Sequence, residues 1–257
     1  MKAILLTGGV ITEDDPLSAY SKYKHKSLIP IGSKPMGQWV LDALSEAQAV
    51  DKIYIIGLKD TCGFSSLKPI EYLTDQGSIF DNIHFGARAI TEASGHDETI
   101  IVASADIPGL RAEMVDWLTA QIQNDLFDLY YSVVSKNVME SRFPGSNRSY
   151  IRFKDTDVCG GDINVFNSRL LLQADELWVR LSESRKSAKK QVALIGMDTL
   201  FLMMLKIVTM DQVVKRVCRK LKIHGKALVV PFAEMAMDVD KPHQLELIRA
   251  DLAGQIS

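Results

Sequence analysis

Strand-like and helix-like segments alternate along this 257-residue sequence, which predicts an α/β fold: a mostly parallel, mixed sheet with helices on both faces, in three layers. Two further observations support that class. The first strand runs straight into paired glycines, and polar or glycine-rich clusters recur where later strands should end. Open α/β sheets bind their ligands beyond the carboxyl ends of their strands.

The first strand is Ala3 to Thr7, ending at Gly8-Gly9. A long polar loop follows, with Lys22, Lys24 and Lys26 on alternate positions, hence on one face of an extended chain. A helix is expected from Pro35, as its first residue, through Ala47. The second strand is Lys52 to Gly57, and Leu58 to Gln76 reads as loop, punctuated by Gly63 and Pro69. Ser78 is a suitable N-cap for a second helix carrying Ile79, Ile83, Ala87 and Ile90.

Thr99 to Ser104 is the third strand, followed by Asp106-Ile107-Pro108-Gly109 and a helix from about Arg111 to Gln123. Asp128 to Val134 is the fourth. Ser135 to Asn147 is polar, contains Pro144-Gly145 and reads as a loop or lid. Tyr150 to Lys154 and Asp162 to Phe166 are short strands around Gly160-Gly161. Residues 167–222 form a helical insertion in an otherwise single domain spanning 1–257. Gly225 to Phe232 is a strand, Met235 to Asp240 is extended, and Lys241-Pro242 opens a last helix.

Composition excludes several functions. Thirty basic and 32 acidic residues give a net charge of −2, so nothing global points to nucleic acid. The three cysteines, Cys62, Cys159 and Cys218, have neither zinc-site nor disulfide-framework spacing. No signal-peptide pattern is present, and a cytoplasmic location is the expectation. Val192 to Met210 is apolar but holds Asp198 and Lys206, so it reads as a buried or interface helix rather than a transmembrane span. That stretch suits a homodimer or membrane-surface contact.

The sequence lacks G-x-x-x-x-G-K-[ST], and Gly8-Gly9 does not extend to G-x-G-x-x-G. Four segments occur in order instead: the first strand with Thr7-Gly8-Gly9; Lys26 to Ile31 with Lys34-Pro35-Met36; Ala105-Asp106-Ile107-Pro108; and Met237-Asp238-Val239-Asp240-Lys241-Pro242. Together they resemble the nucleotidyltransferases of the molybdenum-cofactor (MobA-like) and sugar-phosphate type, and the resemblance implies their glycosyltransferase-A-like, Rossmann-like fold. It is weakest over residues 167–222.

The resemblance implies a nucleotide site of Thr7, Gly8, Gly9, Lys26, Gln76, Gly77 and Ser78. It implies catalytic roles for Lys26 and Asp106, with Asp106 and Asp240 as ligands of Mg²⁺. It places the acceptor near Arg148, Gly161 and Asp162. The implied reaction joins an NMP moiety from an NTP to a phosphorylated small-molecule acceptor and releases pyrophosphate. Such chemistry demands positioning and charge neutralisation more than a covalent nucleophile. Carboxylates at two strand ends suit a hard cation, and Arg142, Arg148 and Arg152 suit an anionic acceptor. Val10 to Asp15 departs from the family's basic first loop, so Lys22, Lys24 and Lys26 are the expected replacements. Two other readings are a glycosyltransferase using Asp238-Val239-Asp240 and an NDP-sugar, and a non-catalytic nucleotide-binding protein.

Overall fold

The computed structural model describes residues 1–59, 62–122, 127–173, 202–203 and 205–256. In chain order the strands are β1 (Lys2–Leu6), β2 (Pro30–Ile31), β3 (Lys34–Pro35), β4 (Lys52–Ile56), β5 (Ile70–Leu73), β6 (Thr99–Ser104), β7 (Leu129–Ser135), β8 (Ile151–Arg152), β9 (Asp157–Gly160), β10 (Ile163–Asn167) and β11 (Gly225–Val230). The helices are α1 (Met36–Glu46), α2 (Ile79–Ser94), α3 (Ala112–Ala120), α4 (Lys136–Arg142), α5 (Ser168–Gln173), α6 (Met210–Leu221) and α7 (Pro242–Ile256).

Nine strands make one sheet in the order β5-β4-β1-β6-β10-β7-β9-β8, with β11 on the other edge of β7. β5, β4, β1 and β6 run parallel. β10 is antiparallel to both β6 and β7, and β11 is parallel to β7. The carboxyl ends of β1, β4 and β6 therefore share one edge of the sheet with the start of β10.

Alternation explains why β1 is central. Ala3 and Leu5 point into a core with α1, α3 and α7, while Ile4 points to the opposite face with Tyr54, Ile83 and Ala87. Under α6 a third cluster gathers Val133, Phe153, Val158, Met210 and Val213.

The structure departs from the sequence reading at several places. Pro35 is the N-cap of α1, not its first helical residue. The expected loop Leu58–Gln76 contains β5, an edge strand begun just after Pro69. The loop or lid expected at Ser135–Asn147 is mostly α4: Ser135 accepts the Val138 N–H, and Met139 is fully buried. β9 was not expected, and residues 233–236 form a 3-10 turn before the chain extends. Most of the helical insertion expected at 167–222 lies outside the described residues; its described parts include α5 and α6.

Candidate active site

The end of β1 is pinned before it reaches the cleft. The Thr7 hydroxyl donates to the Ile56 carbonyl at 2.8 Å and accepts the Leu58 N–H at 3.0 Å. Thr7 thus ties β1 to β4 with its side chain, and only its backbone is left to form the wall. Gly57 adds a second constraint. Its φ is +114°, and a Cβ there would lie 2.4 Å from both Cα and N of Gly8. Two backbones cross at contact distance, which only glycine permits.

From Gly9 the chain makes a long excursion and returns as a hairpin. The Ile11 N–H donates to the Lys24 carbonyl at 2.7 Å, and the Lys26 N–H to that of Gly9 at 2.8 Å. The Lys26 stem lies along Gly9 and its ammonium enters the cleft. Lys22 and Lys24 do not join it: both are exposed, in a bent rather than extended segment. Glu13 and Asp14 are exposed too. Asp15 lines the cleft, with one carboxylate oxygen accepting the Leu17 N–H at 2.8 Å.

The cleft has a volume of about 400 Å³, within the range of small-molecule sites. Thr7, Gly8, Gly9, Lys26, Gly77, Ser78 and Asp106 line it together. Ser78 also caps α2, accepting the Asp81 N–H at 3.2 Å. Gln76 is not in the lining; its side chain is exposed and donates to the Thr74 carbonyl at 2.8 Å. Asp75 and Asn82 form that wall instead. The Asn82 amide donates to Asp75 at 2.8 Å and accepts the Gln76 N–H at 2.7 Å. The sequence signal for Asn82 is slight: one amide on an otherwise apolar helix face.

Asp106 follows β6. One of its carboxyl oxygens is buried and unpartnered. Burial raises its pKa and Asp240 raises it further, while a hydrogen bond from Ser104 and the charge of Lys26 oppose the shift. The Asp106 carbonyl accepts the Val239 N–H at 2.9 Å, which draws the 238–240 loop against it. Asp240 forms an ion pair with the Lys26 ammonium, and so joins the late loop to the first one.

Asp162 is presented by a bulge. Val133 pairs with Gly160 but Tyr130 pairs with Val165, so two extra residues are accommodated between β9 and β10. Gly161 sits at its tightest point; a Cβ there would lie 3.0 Å from the Ser132 Cβ and 3.2 Å from the Met235 carbonyl oxygen. Asn164, an amide near the expected acceptor pocket, staples the bulge by accepting from Ser132 N–H at 2.8 Å and donating to Gly161 at 3.2 Å. Burial and the neighbouring Asp106 push the Asp162 pKa up to about 7, against the pull of Arg148.

Arg148 is brought beside Asp162, with nitrogen and oxygen 3.7 Å apart, and is ion-paired to Asp238. Arg142 belongs elsewhere: it binds Glu234 at 2.9 Å and Asp251 at 2.7 and 2.8 Å. Arg152 is exposed on β8. Asp238 and Asp240 take different partners, Arg148 and Lys26, which counts against a shared D-x-D metal site.

Among the described residues, Asp106, Asp162, Asp238 and Asp240 thus face only Lys26 and Arg148 as close cationic partners. One carboxyl oxygen of Asp106 and one of Asp162 accept no hydrogen bond, although Arg148 lies 3.7 Å from the latter, and both groups have raised pKa values; these carboxyls fit a hard divalent cation. As they stand, no three metal-ligating side chains among the described residues converge on one point.

The MobA-like NTP transferase domain model matches residues 18–201. Among solved structures, a hypothetical transferase from Thermus thermophilus is 27% identical with a TM-score of 0.82, over 95% of this chain and 98% of that one. CMP:2-keto-3-deoxy-manno-octonic acid synthetase complexed with CTP is 15% identical with a TM-score of 0.56, over 99% and 98%. The 4-diphosphocytidyl-2C-methyl-D-erythritol synthase of Anaerococcus prevotii is 12% identical with a TM-score of 0.57, over 98% and 95%. At 12% and 15% the likeness is one of fold. No curated protein matches the chain. With the family model covering most of its length and a cleft lined by a glycine loop, a lysine and the half-buried Asp106, the chain belongs to the MobA-like NTP transferase family, enzymes that transfer nucleotidyl groups.

Proposed function

We propose that this enzyme transfers an NMP moiety from an NTP to a phosphorylated small-molecule acceptor, with Mg²⁺, and releases pyrophosphate. One observation carries the reading: Gly8, Gly9, Lys26 and Asp106 line a single cleft. Backbone bonds bring two other carboxylates, Asp240 and Asp162, to Asp106: the Val239 N–H, next to Asp240, donates to the Asp106 carbonyl at 2.9 Å, and the Ser104 N–H, two residues before Asp106, donates to the Asp162 carbonyl at 2.9 Å.

In this reaction an acceptor oxygen forms a bond to the α-phosphorus as the bond from that phosphorus to the β-phosphate oxygen breaks. Asp106 and Asp240 would hold Mg²⁺, which when bound supplies neutralising charge beside the phosphates. Lys26 adds a second positive charge on the glycine side. The NTP offers Lys26 a new anionic partner and so frees Asp240 from its ion pair. Gly8 and Gly9 leave the wall without side chains, so phosphate oxygens can approach the backbone. On the acceptor side, Gly161 and Asp162 form the floor. A phosphate on the acceptor would compete with Asp238 for the Arg148 fork.

The test begins with thermal stabilisation by each of ATP, GTP, CTP and UTP with Mg²⁺. Pyrophosphate release is then measured across a panel of sugar phosphates and alcohol phosphates with the preferred nucleotide. One NTP should raise the melting temperature, and Asp106→Asn should lower turnover by about 10²–10³-fold. Stabilisation by NDP-sugars but by no NTP, or an Asp106→Asn enzyme as active as wild type, would overturn the proposal.

A further inference from the structure

We infer that Asn82 is a positioning residue for nucleotide selection: it locks Asp75 so that the other carboxylate oxygen of Asp75 accepts an N–H or O–H from the nucleoside end of the bound nucleotide. The inference rests on the nucleotide reading of the cleft proposed above and is independent of the acceptor.

Asn82 lies near the start of α2 and is only 6% exposed. A polar side chain so deeply buried needs partners, and both ends of its amide have one. Its Nδ2 donates to Asp75 Oδ1 at 2.8 Å, and its own Oδ1 accepts the Gln76 N–H at 2.7 Å. These partners fix which end is which, because a carboxylate only accepts and an N–H only donates. The same Asp75 oxygen accepts the Gly77 N–H at 3.1 Å. Gly77 has φ +86°, so the turn is a sharp one, held from beneath by the helix. Gly8 packs beside the pair: a Cβ there would lie 3.6 Å from both Asn82 Nδ2 and Asp75 Oδ1.

Other polar side chains of this wall are already committed. Ser78 Oγ donates to Asp81 at 2.5 Å and accepts the Asp81 N–H at 3.2 Å. The Gln76 amide donates to the Thr74 carbonyl at 2.8 Å. Asp75 Oδ2, by contrast, takes no hydrogen bond or ion pair among the described residues, and Asp75 lines the cleft. A carboxylate accepts only, so it selects a donor, an N–H of the base or an O–H of the ribose. It would repel phosphate. That assigns it to the nucleoside end, with Lys26 as the cation lining the cleft for the phosphates. Ile79, 39% exposed and also in the lining, adds apolar surface suited to a nucleoside.

Asn82 matters because Asp75 itself is exposed. An exposed side chain ordinarily samples several rotamers, and a ligand that uses it must bear the entropy of fixing it. The buried amide fixes it in advance, which is preorganisation of the binding wall.

The test measures the affinity of the full chain for ATP, GTP, CTP and UTP with Mg²⁺, and for the 2′-deoxy analogue of the tightest, by titration calorimetry. Pyrophosphate with Mg²⁺ is the probe that lacks a nucleoside. Asn82→Leu removes both amide bonds at similar volume. Asn82→Asp keeps an acceptor for the Gln76 N–H and makes the Asp75 contact repulsive. Each should weaken the tightest NTP about tenfold, and pyrophosphate by less than about twofold. Asp75→Ala, at the exposed position, should reproduce that loss without altering a buried site. In the Asp75→Ala background, Asn82→Leu should change NTP affinity by less than about twofold, because nothing is left to position. Loss of discrimination against the 2′-deoxy analogue in Asn82→Leu assigns the contact to the ribose; loss of discrimination among the four NTPs assigns it to the base. Asn82→Leu binding NTP as wild type does overturns the inference, as do equal losses for NTP and pyrophosphate, fully additive effects of Asn82→Leu and Asp75→Ala, or both discriminations intact. Folded wild type that binds no NTP overturns the nucleotide reading itself, and this inference with it.

Discussion

Gly57→Ala tests how the nucleotide loop is held, and its effect can be worked from two numbers. The residue has φ +114°, and an added Cβ would lie 2.4 Å from Gly8 Cα and N. Holding an L-residue in that conformation costs about 1–3 kcal/mol. Ordinary contact begins near 3.4 Å, so Gly8 must retreat by about 1 Å, and no rotamer change can relieve a clash between backbones. With a further 1–3 kcal/mol for overpacking, the loss of stability should be about 2–5 kcal/mol. For a chain of this size that lowers the melting temperature by roughly 5–15 °C. A shift of about 1 Å in a positioning loop should also lower turnover by about 10²-fold.

Gly9→Ala is the control that separates the two effects. A Cβ at Gly9 would meet the Lys26 stem at 3.7 Å, an ordinary contact, and its φ is not positive. Its stability should stay within about 0.5 kcal/mol of wild type. The methyl group would lie against the stem of Lys26, which lines the cleft, so NTP affinity should fall about tenfold. Thermal melts of both variants, with and without NTP and Mg²⁺, provide the comparison. A Gly57→Ala protein with wild-type melting and binding would refute the reasoning, as would a Gly9→Ala protein destabilised as much as Gly57→Ala.

Two further predictions concern buried charge. The Asp162 pKa is raised to about 7, so between about pH 4 and pH 7 the folded state holds more protons than the unfolded one. Stability should therefore fall as pH rises through that window and level off above it. Asp162→Asn should flatten much of this slope and stabilise the ligand-free protein at pH 8 by about 1–2 kcal/mol, after allowing for partial exposure and Arg148. Melts at pH 5 and pH 8 decide it: a slope unchanged in the variant would exclude Asp162 as its source. Glu234 is 4% exposed and holds Arg142 at 2.9 Å and Arg111 at 3.3 Å. Glu234→Leu should cost about 2–3 kcal/mol, below the fully buried range because both arginines are partly exposed. A urea midpoint equal to wild type would rule out this network as a significant contributor.

The parallel half of the fold was legible because strand periodicity and glycine punctuation are local signals. Leu5 and Ile53 to Ile56 read as buried strand from neighbouring residues alone. β5 and α4 were not legible, since a long-range pairing decides each: β5 borrows β4, and Arg142 of α4 is fixed by Glu234 and Asp251 far along the chain. The same divide runs through the site. Gly8, Gly9, Lys26 and Asp106 stand at strand ends or beside them, and the cleft collects them. Gln76 and Asp75 differ by one position in a turn. Which of them faces inward is set by Asn82 on α2, an arrangement that residue types alone do not encode. Alternation of Lys22, Lys24 and Lys26 presumed an extended chain, and the bent hairpin keeps only Lys26 in the cleft.

Charge balance connects these residues to the proposed chemistry. Four aspartates face Lys26 and Arg148, and both Asp106 and Asp162 are harder to ionise than isolated carboxyls. A triphosphate arriving alone would add negative charge to a cleft already in excess. Arriving with a divalent cation, it would bring the positive charge that the carboxylates lack. Under the proposed reaction, NTP without Mg²⁺ should therefore give little or no thermal stabilisation, and EDTA should remove the stabilisation seen with both present. Asp240→Asn offers an independent check. It removes one carboxylate and releases Lys26, so it should improve binding of metal-free NTP while weakening the response to Mg²⁺. Equal stabilisation by NTP in EDTA and in Mg²⁺ would show that Lys26 and the glycine loop outweigh the carboxylates, and the charge argument would fail.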